Sequence, residues 1–187
     1  NEKIKFNKMI LTLIEHDRGV INPYSLQLLT FTRILAAKDN IPHKTILIGH
    51  NVQQLALELN TYDLDGIFLI QDERMANYNA EILAAGVIQL VEATKPTIIM
   101  TAATDKGNEV LSHIGARLDL PLSANTSNIQ LGDNNKLIRY RWGSSLLEET
   151  IINSNPLLIS LALNIIKAEK VSANKPEIEN FQAEFSD

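Results

Sequence analysis

Apolar residues in this chain fall into short continuous runs, separated by stretches with helical spacing. The segments at 9–15 (MILTLIE), 44–48 (KTILI), 66–70 (GIFLI) and 97–101 (TIIMT) are apolar at nearly every position. A strand with one wet face alternates polar and apolar side chains, whereas a strand covered on both faces has no need to. The four runs therefore predict strands of a buried, parallel sheet. The segments between them read as helices. Asn22 followed by Pro23 marks the first start: Asn supplies a capping oxygen and Pro loses nothing at the first helical position. Leu28, Phe31 and Leu35 form its stripe, flanked by Leu26 and Leu29. Val52, Leu55, Ala56 and Leu59 predict a second helix, too short to hold in water without tertiary packing. A long helix is expected over 73–94 and is ended by Pro96; a fourth is expected over 107–118, with Leu111, Ile114, Gly115 and Leu118 facing inward.

Beyond Pro121 the rhythm changes. Residues 123–131 and 137–142 flank a Gly-Asp-Asn-Asn turn and predict a hairpin; 146–152 and 157–163 read as two more strands, and this last third is expected to add antiparallel strands at an edge. From Lys167 the chain turns polar. This predicts one α/β domain over 1–165 and a linker or tail over 166–187, with a short helix near 176–185. The fold class is α/β: three layers, a mostly parallel sheet with helices on both faces, and antiparallel edge strands.

Composition narrows the function classes. A 187-residue chain with 45% hydrophobic and 21% charged residues suits one sizeable globular domain. Without cysteine there is no disulfide framework, thiolate nucleophile or Cys-based metal site. A net charge of −5, from 17 basic and 22 acidic residues, gives no electrostatic case for nucleic acid. No apolar run is long enough to span a bilayer, and the start of the chain has no signal pattern.

Ligands of open parallel sheets sit outside the carboxyl ends of the strands, so the loops at 16–22, 49–51 and 102–107 are where chemistry is expected. None carries the glycine pattern of a phosphate-gripping loop. The 102–107 loop (AATDKG) comes nearest: Thr104, Lys106 and Gly107 precede a helix N-terminus that could hold an anion or nucleotide, although Asp105 would repel phosphate. A plain strand-to-helix turn accounts for the same residues. His16 with Asp17 and His50 all lie at strand ends, which allows an acid–base pair or simply polar loop residues; no nucleophile stands beside them. His43 and His113 complete the four histidines, and none has metal-ligand spacing on a helix. Ser144 and Ser145 lack the G-x-S-x-G pattern. Tyr140 and Trp142 alternate with Arg139 and Arg141, which puts aromatic and basic residues on opposite faces of a strand and fits a half-buried edge strand better than base stacking.

Several blocks in order resemble the N-terminal domain of the electron transfer flavoprotein alpha subunit. They are IEHDRGVINPYSLQLLTFTRILA at 14–36, ILIGHNVQQLALELNTYDLDGIFLIQD at 46–72, YNAE at 78–81, and KPTIIMTAATDKGNEVLSHIGARLDLPLSANTSNIQL at 95–131. The likeness covers roughly residues 9–163, and the ordered set carries it rather than any one motif. The resemblance implies a Rossmann-like fold of the adenine nucleotide alpha hydrolase type. It also implies pairing with a beta subunit in a carrier that moves electrons from dehydrogenases to a quinone oxidoreductase or other acceptor. In that family most of the FAD is cradled by a second, C-terminal domain, so the expectation for this chain is a scaffold without catalytic residues and without a bound cofactor of its own. The chain reaches Asp187 without the family's glycine-rich FAD segments, and after Leu157 it departs from the basic-then-proline pattern of that strand. The family setting is the bacterial cytoplasm or the mitochondrial matrix. An isolated platform of this kind is expected to self-associate through the face it offers its partner.

Overall fold

The computed structural model describes residues 8–171 and 175–185. In chain order the elements are β1 (Ile10–Leu13), β2 (His16–Asp17), β3 (Val20–Ile21), α1 (Pro23–Asp39), β4 (His43–Gly49), α2 (Leu55–Glu58), β5 (Gly66–Gln71), α3 (Ala80–Thr94), β6 (Ile98–Ala102), α4 (Asp105–Leu118), β7 (Leu122–Gln130), β8 (Lys136–Arg141), β9 (Leu146–Ile151), β10 (Leu157–Leu161) and β11 (Glu177–Asn180). Nine strands form one sheet in the order β11-β5-β4-β1-β6-β10-β7-β8-β9. All pairs from β11 to β7 are parallel; β7–β8 and β8–β9 are antiparallel.

The continuous apolar runs are the buried strands they predict. Every residue of β1 is buried, with Ile10 opposite His43 of β4 on one side and Ile98 of β6 on the other. Side-chain alternation divides the core in two. Leu11, Leu13, Ile46, Ile48, Phe68 and Ile70 meet α3 and α4 on one face. Ile10, Leu47 and Leu69 point the other way, toward α1 and the 52–64 segment. The three-layer α/β architecture follows.

Four expectations need correction. The strand at 157–163 is not at an antiparallel edge: β10 lies inside the sheet between β6 and β7, parallel to both, because all five of its residues are buried and demand cover on two faces. The helix expected over 73–94 starts at Ala80. Asn79 caps it by accepting from the N–H groups of Glu81 and Ile82, while 73–75 forms a separate 3-10 turn capped by Asp72. The helix around 52–59 is a single α-turn continued by a 3-10 turn at Leu59–Thr61, held by burial of Leu55, Leu59, Tyr62 and Leu64. No helix forms near 176–185: Glu177–Asn180 adds β11 to the free edge of β5, and Phe181, Ala183 and Phe185 then pack on the α3 side of the core. The polar stretch before it also touches the body, since the Glu169 N–H donates to Thr30 Oγ1 and the Val171 N–H to the Thr61 carbonyl.

Candidate functional site

The sheet order reverses at β1, whose neighbours β4 and β6 receive the chain from opposite directions, and the crevice of such folds opens at that switch. All three loops expected from the sequence meet there. A cavity of about 630 Å³ is walled by Glu15 to Gly19, by Gly49, His50 and Asn51, and by Ala102, Lys106 and Gly107. A fourth wall, Met75 to Tyr78, comes from the segment that the sequence suggested was helical.

Glu15 lines the crevice; it is the last residue of the run expected as the first strand and lies two residues past the end of β1. Its Oε1 accepts from Asn22 Nδ2 at 2.9 Å and its Oε2 from Thr104 Oγ1 at 2.5 Å. Asn22 also accepts from the Tyr24 N–H at the start of α1, and Thr104 accepts from the Gly107 N–H at the start of α4. The carboxylate thus ties together the caps of α1 and α4, and it brings a negative charge to the α4 N-terminus, which opens on the crevice at Lys106 and Gly107. Gly107 is required for the fit. A Cβ there would collide with the Ala102 carbonyl oxygen and come within 3.0 Å of Thr104 Oγ1.

Lys106 is engaged with Tyr78. Its ammonium lies 4.9 Å from the centre of the Tyr78 ring, and the Tyr78 hydroxyl donates to Glu109 Oε2 at 2.8 Å. Burial, and then the hydrogen bond and charge of Glu109, push the Tyr78 hydroxyl pKa well up, so it stays a donor. The acid–base pairing conceived for His16 and His50 finds little support in the geometry. His16 Nε2 lies 2.8 Å from the Ile48 carbonyl, which can only accept, so that nitrogen carries the proton. Its ring lies over Gly49 (φ +154), where a Cβ would come 2.8 Å from the imidazole. His50 bonds its neighbour Asn51, and Asp17 lies beside Arg18 at the exposed rim. Among the described residues no cluster of three or more His, Asp or Glu side chains could hold a metal.

His43 belongs to the fold rather than to this crevice. It is fully buried, with Nε2 2.7 Å from Thr12 Oγ1 and 2.9 Å from Thr32 Oγ1, and desolvation lowers its pKa from 6.5 to about 3. Sequence reasoning missed Glu15 and Tyr78. An acid closing an otherwise apolar strand was the available signal for Glu15; nothing local pointed to Tyr78, whose role depends on α4.

The model of the electron transfer flavoprotein domain matches residues 10–186. The chain belongs to the electron transfer flavoprotein domain family. It is 28% identical, over 75% of its length, to an electron transfer flavoprotein subunit alpha of Thermoanaerobacterium thermosaccharolyticum, of which it covers 43%. It is 24% identical over 98% of its length to the LctC subunit of a lactate dehydrogenase (NAD(+),ferredoxin) of Acetobacterium woodii, covering 46% of it. Protein FixB of Bradyrhizobium diazoefficiens is 26% identical over 78% of the chain, with 41% of the relative covered. The chain thus spans less than half the length of these relatives. The flavin that gives the family its name does not fit this crevice as built. Its diphosphate would meet the Glu15 carboxylate at the α4 N-terminus, with the nearest lysine drawn aside by Tyr78. No helix among the described residues is long and apolar enough to cross a membrane.

Proposed function

We propose that this chain is the scaffold domain of an electron transfer flavoprotein alpha subunit. It pairs with a beta subunit in a FAD-containing carrier between dehydrogenases and a quinone oxidoreductase or other acceptor. It performs no catalysis and holds no cofactor itself, in a bacterial cytoplasm or mitochondrial matrix. On this reading the folded body is a platform, and the segment after it closes back on it through β11 and the packing of Phe181, Ala183 and Phe185. Family membership supports the assignment, and one observation carries the cofactor-free part: Glu15, held by Asn22 and Thr104, occupies with negative charge the place where a nucleotide phosphate would bind. A stable partner interface of this kind buries on the order of 1,600 Å² or more in total.

The cavity of about 630 Å³ favours a second reading, an adenine-nucleotide module using Thr104, Lys106 and Gly107, because its size suits a small ligand. Two titrations separate the readings. Mixing the chain with the beta subunit of the same organism is expected to give a co-eluting complex, and AMP, ATP and FAD are expected to give no calorimetric heat at millimolar concentration. Nucleotide binding that disappears in Lys106→Ala, with no complex formed, would replace the scaffold reading with the second.

A further inference from the structure

We propose that the crevice binds a small organic cation: an apolar body with an amidinium or ammonium head that Glu15 receives. The site goes beyond the scaffold reading, which concerns the partner subunit and the flavin. Glu15 is fixed at both main chain and side chain. Its N–H donates to Ser25 Oγ, and its carbonyl accepts from the Asn22 N–H. Its carboxylate oxygens accept from Asn22 Nδ2 and Thr104 Oγ1. These donors are neutral, so they orient the carboxylate without cancelling its charge. Among the described residues no lysine, arginine or histidine pairs with it. Arg18 lies beside Asp17 at the exposed rim, and Lys106 lies over the Tyr78 ring. The charge is felt across the cavity: after burial and Glu109, Glu15 is a further cause that holds the Tyr78 hydroxyl protonated.

The acceptor capacity left on Glu15 points to the head group. A carboxylate has about four acceptor sites, and the bonds from Asn22 and Thr104 leave about two of them for N–H donors of a ligand. A cation with a fork of N–H groups fits them, and charge-assisted bonds of this kind are stronger than neutral ones. Thr101 lines the cavity as well. It is 2% exposed and its Oγ1 has no partner, which leaves a further polar group there to be satisfied. Met75, Leu83 and Val110 give an apolar wall for the body of the ligand. The volume of about 630 Å³ lies in the range of small-molecule sites. A bare divalent ion does not suit the place, since among the described residues no cluster of three or more His, Asp or Glu side chains is available to hold one.

Benzamidine, a cation at neutral pH, is the probe; benzamide is its neutral counterpart and benzoate its anionic one. Titration of the isotope-labelled chain with benzamidine is expected to move the amide signals of Glu15, Thr104 and Gly107 saturably. Benzamide should bind at least about tenfold more weakly, as loss of a charge-assisted pair requires, and benzoate should not bind. Glu15→Gln keeps the size of the side chain and an oxygen for Asn22, and should weaken benzamidine by the same factor with circular dichroism unchanged. Should that variant fail to fold, Asn77→Arg, at an exposed position on the cavity wall, brings a like charge to the site. It should weaken benzamidine and leave benzamide unchanged. No saturable shift with benzamidine at millimolar concentration, or equal affinity for benzamidine and benzamide, would overturn the assignment. Binding that survives folded Glu15→Gln, or shifts that lie away from the crevice, would show surface association only and overturn it as well. Each of these results leaves the scaffold reading standing, because complex formation with the beta subunit tests that reading separately.

Discussion

The two ends of the sheet solve the same problem in opposite ways. At one end β11 closes the β5 edge with four residues whose outward side chains are mainly acidic or amide. It is fastened from behind: Phe185 packs toward Gly86 of α3, the Phe185 carbonyl accepts from Arg74, and Gln89 exchanges hydrogen bonds with the Glu184 backbone. At the other end β9 leaves its outer backbone open and sets exposed leucine and isoleucine beside it. Acidic side chains on a short strand discourage further pairing, and apolar ones on an open strand invite it. The contrast separates an edge strand fastened to the body from one that holds apolar side chains out in solvent. In the crevice between them the protein's own Glu15 carboxylate is tied to the cap of α4 through Thr104.

The sharpest way to probe this contrast is to add one methyl group at each end of the distinction. Gly107→Ala drives a Cβ into the Ala102 carbonyl, and a loss of at least about 3 kcal/mol is expected in urea denaturation. Gly143→Ala at the arm's tip meets nothing within 4 Å and bears only the left-handed φ of +59, so about 1 kcal/mol is expected. Equal losses would show that the arm is packed as tightly as the body.

The buried body should also be sensitive to acid. The folded-state pKa of His43, about 3, lies below the 6.5 of the unfolded chain. Below pH 6.5 the unfolded state takes up a proton that the folded state refuses. The contribution is therefore complete above pH 6.5 and is lost progressively toward pH 3. At about 1.4 kcal/mol per pH unit this amounts to about 2 kcal/mol by pH 5. Denaturation at pH 7 and pH 5 should show that loss in the wild type, and His43→Gln should abolish this part of the slope. A smaller effect is expected at the fastened edge. Phe185 is only partly buried, so Phe185→Ala should cost about 1 kcal/mol, well below the cost for a fully buried ring. It should also speed amide exchange in β5, against which β11 pairs. Unchanged exchange there would mean that β11 is held by its ladder alone.

What was legible in the sequence follows the same divide. The four parallel strands of the body could be read because burial on both faces leaves an apolar run that no surface element imitates, and the crevice could be placed because the loops leaving those strands must converge. Asn22 and Thr104 sit where helix caps are expected, yet the partner they share, Glu15, became visible only when β1 and β6 were set side by side. β10 was misplaced because its apolar run follows a hairpin in the chain but returns to the middle of the sheet. β11 could not be read locally: four exposed residues have no periodicity to show, and their conformation is dictated by the open edge of β5. The strand at 146–152 was expected at an antiparallel edge and is found there, as the outermost strand β9.

The most direct test of the scaffold account is amide hydrogen exchange on the chain alone and in complex with its beta subunit. The account predicts new protection on a surface outside the crevice, with the 102–107 loop unchanged. Protection confined to 102–107 would contradict it.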